Sequence, residues 1–417
     1  REETVRRPEL SNPIINEVTQ YCVALAQNQI TEDELTSFDK TALEDAQKRG
    51  VVDTAKYCAS MAAGMAREWF KSRIWGDDDK YNQYKAALNV KFGDCDLNYR
   101  DAMLQYLNYL KSGGHTPYRT YVDMDDFVID GRLPSDALIG VIADWATGEP
   151  EALEVLRQVK AQNPHAAIHL GDIYYAGTEH EVENYFYQPW KNILDPENSG
   201  ILSFALPGNH DLYAGGKPFY DLLDKLAVLN RSDKKMASYF CLRNEHWQLI
   251  GLDTALHDRL GAGPTYLEES EVEWLKDKIQ NSGGRRTILL SHHQLFSAND
   301  RFDGKSYNEK LNDQLAPLLP QVDLWLWGHE HDLVIFGEYM NLKRGRCIGG
   351  SAFPVGNFEM PTERVNPEVP FNQQVELSKG SAFYQHCYTM LKLDGANAIV
   401  SYYEDRDGGR LLFQESI

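Results

Sequence analysis

AAIHLGDIYYAG, residues 166–177, runs from an apolar strand-like segment into an acid, Asp172, and then into paired tyrosines, Tyr174 and Tyr175. A turn after a strand uses the glycine and tolerates the aspartate, but it has no conformational need for two tyrosines. The junction is one of a set. ALIGVIA (137–143) ends in Asp144, and ILSFAL (201–206) ends in Pro207-Gly208-Asn209-His210-Asp211. TILLS (287–291) ends in His292-His293, and VDLWLW (322–327) ends in Gly328-His329-Glu330-His331-Asp332. Five strand-like runs therefore deliver Asp, Asp, Asn/His, His/His and His/His at their C-terminal ends. In an open α/β sheet that edge is where ligands bind.

Between these runs lie helix-like segments at 149–162, 179–194, 267–281 and 307–319. Alternating β and α predicts a parallel or mixed sheet with helices outside. The strand-like YFCL (239–242) and WQLIGL (247–252), with the β-rich residues after 327, predict a second sheet. The expected fold of 137–417 is α/β, an αββα sandwich, with Pro361 to Lys379 as a long loop. Upstream, Ile15, Val18, Cys22 and Leu25, then Val51, Ala55, Cys58, Met61, Met65 and Trp69, recur at helical spacing. Residues 1–113 thus read as an N-terminal all-α bundle, and 114–136 as a connector. No catalytic residue types gather in the bundle, so a regulatory or protein-contact role is expected of it.

The chain has 417 residues and a net charge of −20, which repels nucleic acid and anionic lipid at long range. No run approaches the ~18 apolar residues of a membrane span. Cysteines 22, 58, 95, 241, 347 and 387 form no CxxC pair, and Cys241 and Cys347 read as buried reduced thiols. The expectation is a soluble protein, cytoplasmic in preference to secreted or periplasmic, although a chain starting at Arg1 leaves room for processing.

Taken singly, each polar residue has an ordinary explanation. Asp144 serves a turn, Asn209 tolerates a left-handed backbone, and His292-His293 makes a polar pair at a strand end. The set points elsewhere: five of the twelve histidines sit in three of these turns, with carboxylates in the others. Mixed Asp, Asn and His donors suit iron, zinc or manganese rather than a Cys-rich structural zinc site. One aspartate can bridge two ions about 3.5–4 Å apart, an arrangement that polarises a phosphoryl oxygen and activates water near neutral pH.

IAD (142–144), GD (171–172), GNHD (208–211), SHH (291–293) and GHEH (328–331) resemble, in order and spacing, the blocks of the calcineurin-like metallophosphoesterases. The likeness extends over roughly 137–417 and implies that family's αββα sandwich. Most of the family has DxH in the first block, whereas this chain has Asp144-Trp145-Ala146. Purple acid phosphatases in the same superfamily lack that histidine too and use GDxxY, a spacing at which GDIYY places Tyr175.

The resemblance implies two metal ions. Fe(III) would be held by Asp144, Asp172, Tyr175 and His331; Fe(II), Zn(II) or Mn(II) would be held by Asp172, Asn209, His292 and His329. His210, oriented by Asp211, would contact the phosphate and protonate the leaving oxygen, and His293 would face the substrate. The implied activity is hydrolysis of a phosphomonoester on a phosphorylated small molecule by a metal-held hydroxide. Phosphodiester or cyclic-nucleotide hydrolysis is the alternative on the same core, and a non-catalytic scaffold is the alternative from another class. A nuclease is disfavoured by the charge. Tyr174 reads as a neighbour of Tyr175. His169 and Asp253 read as hydrogen-bonded scaffold positions, Trp145 as packing, and Tyr213, Lys217 and Arg364 as loop surface. His180, His257 and His386 carry no functional expectation.

Overall fold

The computed structural model describes residues 116–232, 235–258, 264–356, 365–380 and 383–417. The bundle expected at 1–113, Arg364 and cysteines 22, 58 and 95 lie outside the described residues. The chain divides into two compact units at Gly114/His115, and all described residues belong to the unit holding His115–Ile417.

Two mixed sheets form the described unit. In one, β2 (Leu138–Ile142), β3 (Ala166–His169) and β4 (Leu202–Ala205) run parallel, and β11 (Cys387–Asp394), β12 (Asn397–Glu404) and β13 (Arg410–Ser416) extend it antiparallel from β2. In the other, β6 (Trp247–Gly251), β7 (Arg286–Ser291), β8 (Val322–Trp327) and β10 (Gly345–Ile348) run parallel. It is flanked by β5 (Phe240–Arg243) and β1 (Val128–Ile129) at one edge and β9 (Leu333–Ile335) at the other.

Period-two alternation explains the layering. Ile288, Leu290, Leu324 and Leu326 join Ile139, Val141 and Leu391 in the core between the sheets. Their neighbours Leu289, Trp325 and Trp327 turn the other way and pack with Trp274, Leu275, Leu311 and Leu315 of the outer helices. Both faces are covered, which is why these strands read as continuous apolar runs. Helix α1 (Pro150–Ala161) buries Ala152, Val155, Leu156 and Val159 on the far face of the first sheet. It crosses at Gly140, where a Cβ would lie 2.5 Å from Val159 Cγ1. The αββα expectation is met, and the sheets bring the C-terminal ends of β2, β3, β4, β7 and β8 to one place.

One boundary needs correcting. The stretch read as a connector, 114–136, is part of the sandwich from residue 116 onward. Val128–Ile129 pair in parallel with β5, Tyr118 donates to Glu271 at 3.0 Å, and Arg119 clamps Asp224 through two 2.9 Å bonds. Its Gly, Thr and Asp residues hid anchors that are aromatic and cationic. Cys241, Cys347 and Cys387 are buried thiols outside any disulfide. Among the described residues no helix is long and apolar enough to cross a membrane.

Candidate metal centre

The site residues follow strands, and in three of the motifs the neighbouring glycine leaves space. A Cβ on Gly208 would lie 2.1 Å from Asp172 Oδ1, and one on Gly328 would lie 2.6 Å from Asp144 Oδ2. One on Gly171 would meet His292 Nδ1 at 2.7 Å. The glycines of GD, GNHD and GHEH thus vacate the volume that donor side chains of other motifs occupy. Asp144, Asp172 and His329 adopt left-handed φ values of 55°, 75° and 66°, costly for residues with a Cβ. Hydrogen bonds between motifs hold them there. His329 N–H donates to Asp144 Oδ2 at 2.9 Å, and His210 N–H donates to Asp172 Oδ1 at 3.0 Å.

The remaining donor atoms converge in two groups that share Asp172 Oδ2. In the first, the Tyr174 hydroxyl lies 2.9 Å from Asp144 Oδ1, 3.1 Å from Asp172 Oδ2 and 2.8 Å from His331 Nε2. His331 Nε2 is itself 3.4 Å from Asp144 Oδ1. In the second, Asn209 Oδ1 is 3.1 Å from both His292 Nε2 and His329 Nδ1, and those two nitrogens are 3.2 Å apart. His292 Nε2 closes the pair of groups at 3.4 Å from Asp172 Oδ2.

Two features fit these groups to metal ions. Ligand bonds of about 2.0–2.2 Å set neighbouring donor atoms about 2.8–3.6 Å apart, the spacing seen in both. The second group, moreover, turns an amide oxygen and two imidazole nitrogens toward one point, where their lone pairs repel unless a cation or proton lies between. Outer contacts fix the donors as metal ligands are usually fixed. His292 Nδ1 sits 3.0 Å from the Leu170 carbonyl, leaving Nε2 for the cage, and the Asn209 amide nitrogen donates to the Tyr213 hydroxyl. His331 stacks on Phe353 with ring centres 3.9 Å apart.

Charge reinforces the geometry. Burial opposes ionisation of Asp172, yet the His292 and His210 imidazoles beside it hold its carboxyl well below the usual range. Burial likewise opposes protonation of His292, but Asp172 and Asp144 push it up to about 9. His329, desolvated and facing His293 and His292, is held well below its ordinary value. Asp172 and His292 thus favour each other's charged form.

Asp144, Asp172, Asn209, His292, His329 and His331 are all brought together. The phenol oxygen among the donors is that of Tyr174, while Tyr175 offers its carbonyl to His210 Nδ1 and its N–H to Glu181. His210 lies at the rim, 8% exposed, with Nε2 4.0 Å from Asp172 Oδ2. Asp211, expected to orient that imidazole, is engaged with the backbone of the loop. Its Oδ2 accepts from backbone N–H groups of Asp172 and Gly208, so it works on the loop, and burial with the Asp172 charge raises it to about 7. His293 stands beside the second group, ring centre 4.5 Å from that of His329, with Nδ1 3.0 Å from Thr254 Oγ1 and Nε2 3.5 Å from Asp258.

Three supports escaped the sequence reading. Glu181 caps a turn with Thr178 and takes the N–H groups of Tyr175, Ala176 and Thr178; the signal T-x-x-E was there to be read. Phe353 and Cys347, whose thiol lies 3.1 Å from the Glu330 carbonyl inside GHEH, had no sequence signal. His169 is buried between Trp145 and Phe186 with neither ring nitrogen hydrogen-bonded, so the hydrogen-bonded scaffold position expected of it is corrected to a packed one.

The sequence profile of the calcineurin-like phosphoesterase family matches residues 137–333. A 3',5'-cyclic adenosine monophosphate phosphodiesterase CpdA from Haemophilus influenzae is 26% identical over 187 residues, 43% of this chain and 60% of that protein. The protein of the same name from Escherichia coli (strain K12) is 30% identical over 141 residues, 32% of this chain and 46% of its own length. The chain thus spans less than two thirds of either relative. A dimetal phosphatase structure from Danio rerio aligns with 13% identity and a TM-score of 0.43, covering 67% of this chain and 98% of that one.

Proposed function

Residues 137–333 are a calcineurin-like phosphoesterase domain, and from that premise we propose that the chain hydrolyses phosphoesters with two metal ions seated in the paired donor groups. The observation that carries this reading is the sharing of Asp172 Oδ2 between a Tyr174–Asp144–His331 group and a His292–Asn209–His329 group. Iron(III) suits the first, which offers a phenol oxygen; iron(II), zinc(II) or manganese(II) suits the second, with its imidazole and amide donors. When bound, such a pair supplies Lewis acidity at a phosphoryl oxygen and an activated water.

The chain's own groups complete the chemistry. Asp172 holds the two positions together, and the Tyr213 hydroxyl fixes Asn209 with its carbonyl oxygen inward. His210, anchored through Nδ1 to the Tyr175 carbonyl, keeps Nε2 at the rim to deliver a proton to the leaving oxygen. His293 forms the wall beside His329 and is placed to meet the phosphate.

Phosphomonoesters of small molecules are the first substrate class, on the resemblance of GDIYY (171–175) to the GDxxY of purple acid phosphatases. A phosphodiester reading, cyclic nucleotides included, draws support from the names of the two curated relatives. Purified full chain loaded with iron, zinc or manganese and offered an aryl phosphate, a bis-aryl phosphate and 3',5'-cyclic AMP tests both. Hydrolysis of at least one that stops on chelation is expected. Inertness toward all three with metal bound favours the scaffold alternative and removes this reading.

A further inference from the structure

We infer that the domain carries a second, non-catalytic site. A cavity at the N-terminal ends of β3 and β4, away from the metal centre, binds a small phosphate-bearing anion through Arg132, Lys160 and His165.

Two turns shape the cavity. After α1, Asn163 takes a left-handed φ of 54°, and Pro164 and His165 lead into β3. After the short helix Pro196–Ser199, Gly200 takes a φ of 74°, and Ile201 leads into β4. Backbone bonds tie the turns to the sheet. His165 N–H donates to the Leu138 carbonyl at 2.7 Å, and Leu202 N–H donates to the His165 carbonyl at 2.9 Å. Both turns and Arg132 line a cavity of about 350 Å³, within the range of small-molecule sites. β3 and β4 each have four residues, about 13 Å of strand, and Asp172 and Asn209 lie beyond their far ends. A small anion held here is out of reach of the metal donors.

The lining is cationic in a chain of net charge −20. Arg132, Lys160 and His165 face the cavity and no carboxylate lines it. Both cations are already pinned. Lys160 Nζ donates to the Leu194 carbonyl at 2.8 Å, at the end of the helix Gln188–Leu194, and Arg132 Nη2 donates to the Asn230 carbonyl at 2.9 Å. Among the described residues neither pairs with a carboxylate. Each therefore keeps an uncompensated charge and further N–H donors in a fixed place, so less ordering is required when an anion arrives.

His165 adds a donor of settled polarity. Leu138 N–H donates to its Nδ1 at 3.0 Å. That nitrogen presents its lone pair, so the neutral ring carries its proton on Nε2. A guanidinium, an ammonium and an imidazole N–H, from three segments of the chain, suit an anion with three acceptor oxygens and close to two charges, as a phosphate has. A carboxylate, with two oxygens and one charge, leaves one cation unanswered.

Equilibrium dialysis of the full chain, stripped of metal and kept in chelator, measures binding of inorganic phosphate, glucose 6-phosphate and acetate. Arg132→Met and Lys160→Met each remove a charge, and His165→Asn keeps an acceptor for Leu138 N–H while removing the Nε2 donor. Thermal melts check that each variant folds. The expected result is saturable binding of phosphate at one site per chain, retained in His210→Ala. Each charge removal should weaken it about tenfold, the loss of one charge-assisted hydrogen bond, and His165→Asn should weaken it less. Tighter binding of glucose 6-phosphate assigns the site to an organic phosphate, and equal binding assigns it to free phosphate; both support the inference. No saturable binding of either phosphate, acetate bound as tightly as phosphate, unchanged affinity in the Arg132 and Lys160 variants, or loss of binding in His210→Ala overturns it.

Discussion

Asp211 Oδ2 accepts the backbone N–H of Asp172 at 2.8 Å. Asp172, the aspartate proposed to bridge the two metal positions, is thus held by a carboxylate from another strand's loop, and the same oxygen takes the Gly208 N–H at 2.6 Å. Removing it leaves two buried donors unpaired and frees the turn on which both metal positions depend. Asp211→Ala should weaken metal binding by about 10–100-fold, and Asp211→Asn, which retains an acceptor oxygen, should lose less. Competition with a chromophoric zinc chelator measures this; unchanged affinity in Asp211→Ala speaks against the positioning role.

Glu181 offers a second test away from the donor atoms. Its carboxylate takes three backbone N–H groups of the tyrosine loop. Unpaired buried donors cost roughly 1–3 kcal/mol each, so Glu181→Ala should lose about 2–4 kcal/mol of stability, some exposure to water relieving the rest. Because the same loop presents the Tyr175 carbonyl to His210, kcat should fall more than KM rises. Urea midpoints and steady-state kinetics check the two halves separately.

A pH effect follows from Asp253, fully buried beneath the Tyr118 anchor. Burial raises its carboxyl from 3.8 to about 6, and Glu271, whose Oε1 accepts the Asp253 N–H, shifts upward too. An acid with a raised folded-state pKa holds its proton more tightly folded than unfolded. The contribution of Asp253 to stability is therefore fullest below pH 3.8 and declines as the pH rises through the window to about 6. Asp253→Asn keeps an oxygen for the Ala255 and Leu256 N–H groups and should remove a decline of about 3 kcal/mol across that window. Denaturant titrations at its two ends measure the difference; identical slopes in both proteins refute it.

His210 predicts a dependence on leaving group. His210→Ala should reduce kcat about 10²–10⁴-fold for alkyl phosphates, and far less for aryl phosphates whose oxygen departs without a proton, with metal content unchanged. An equal loss for both classes contradicts a proton-donor role.

The layers and most donors were legible because each depends on local pattern. Strands covered on both faces read as apolar runs, and Asp144, Asp172, Asn209, His292, His329 and His331 stand in short motifs whose glycines clear space for one another. What escaped depends on contacts distant in sequence. Within 116–136, Val128–Ile129 form a strand only because β5 lies beside them, and the segment is anchored because Glu271 and Asp224 await Tyr118 and Arg119. Asp211 looks from sequence like a partner for its neighbour His210, but reaches instead to Asp172, 39 residues away.

The account stands on a shared site, and the most direct measurement is elemental analysis of the purified full chain beside Asp172→Ala. Two transition-metal ions per chain are predicted, falling below one in Asp172→Ala together with loss of phosphoester hydrolysis. A chain that hydrolyses phosphoesters with one ion or none, or an Asp172→Ala variant that keeps both ions, contradicts it.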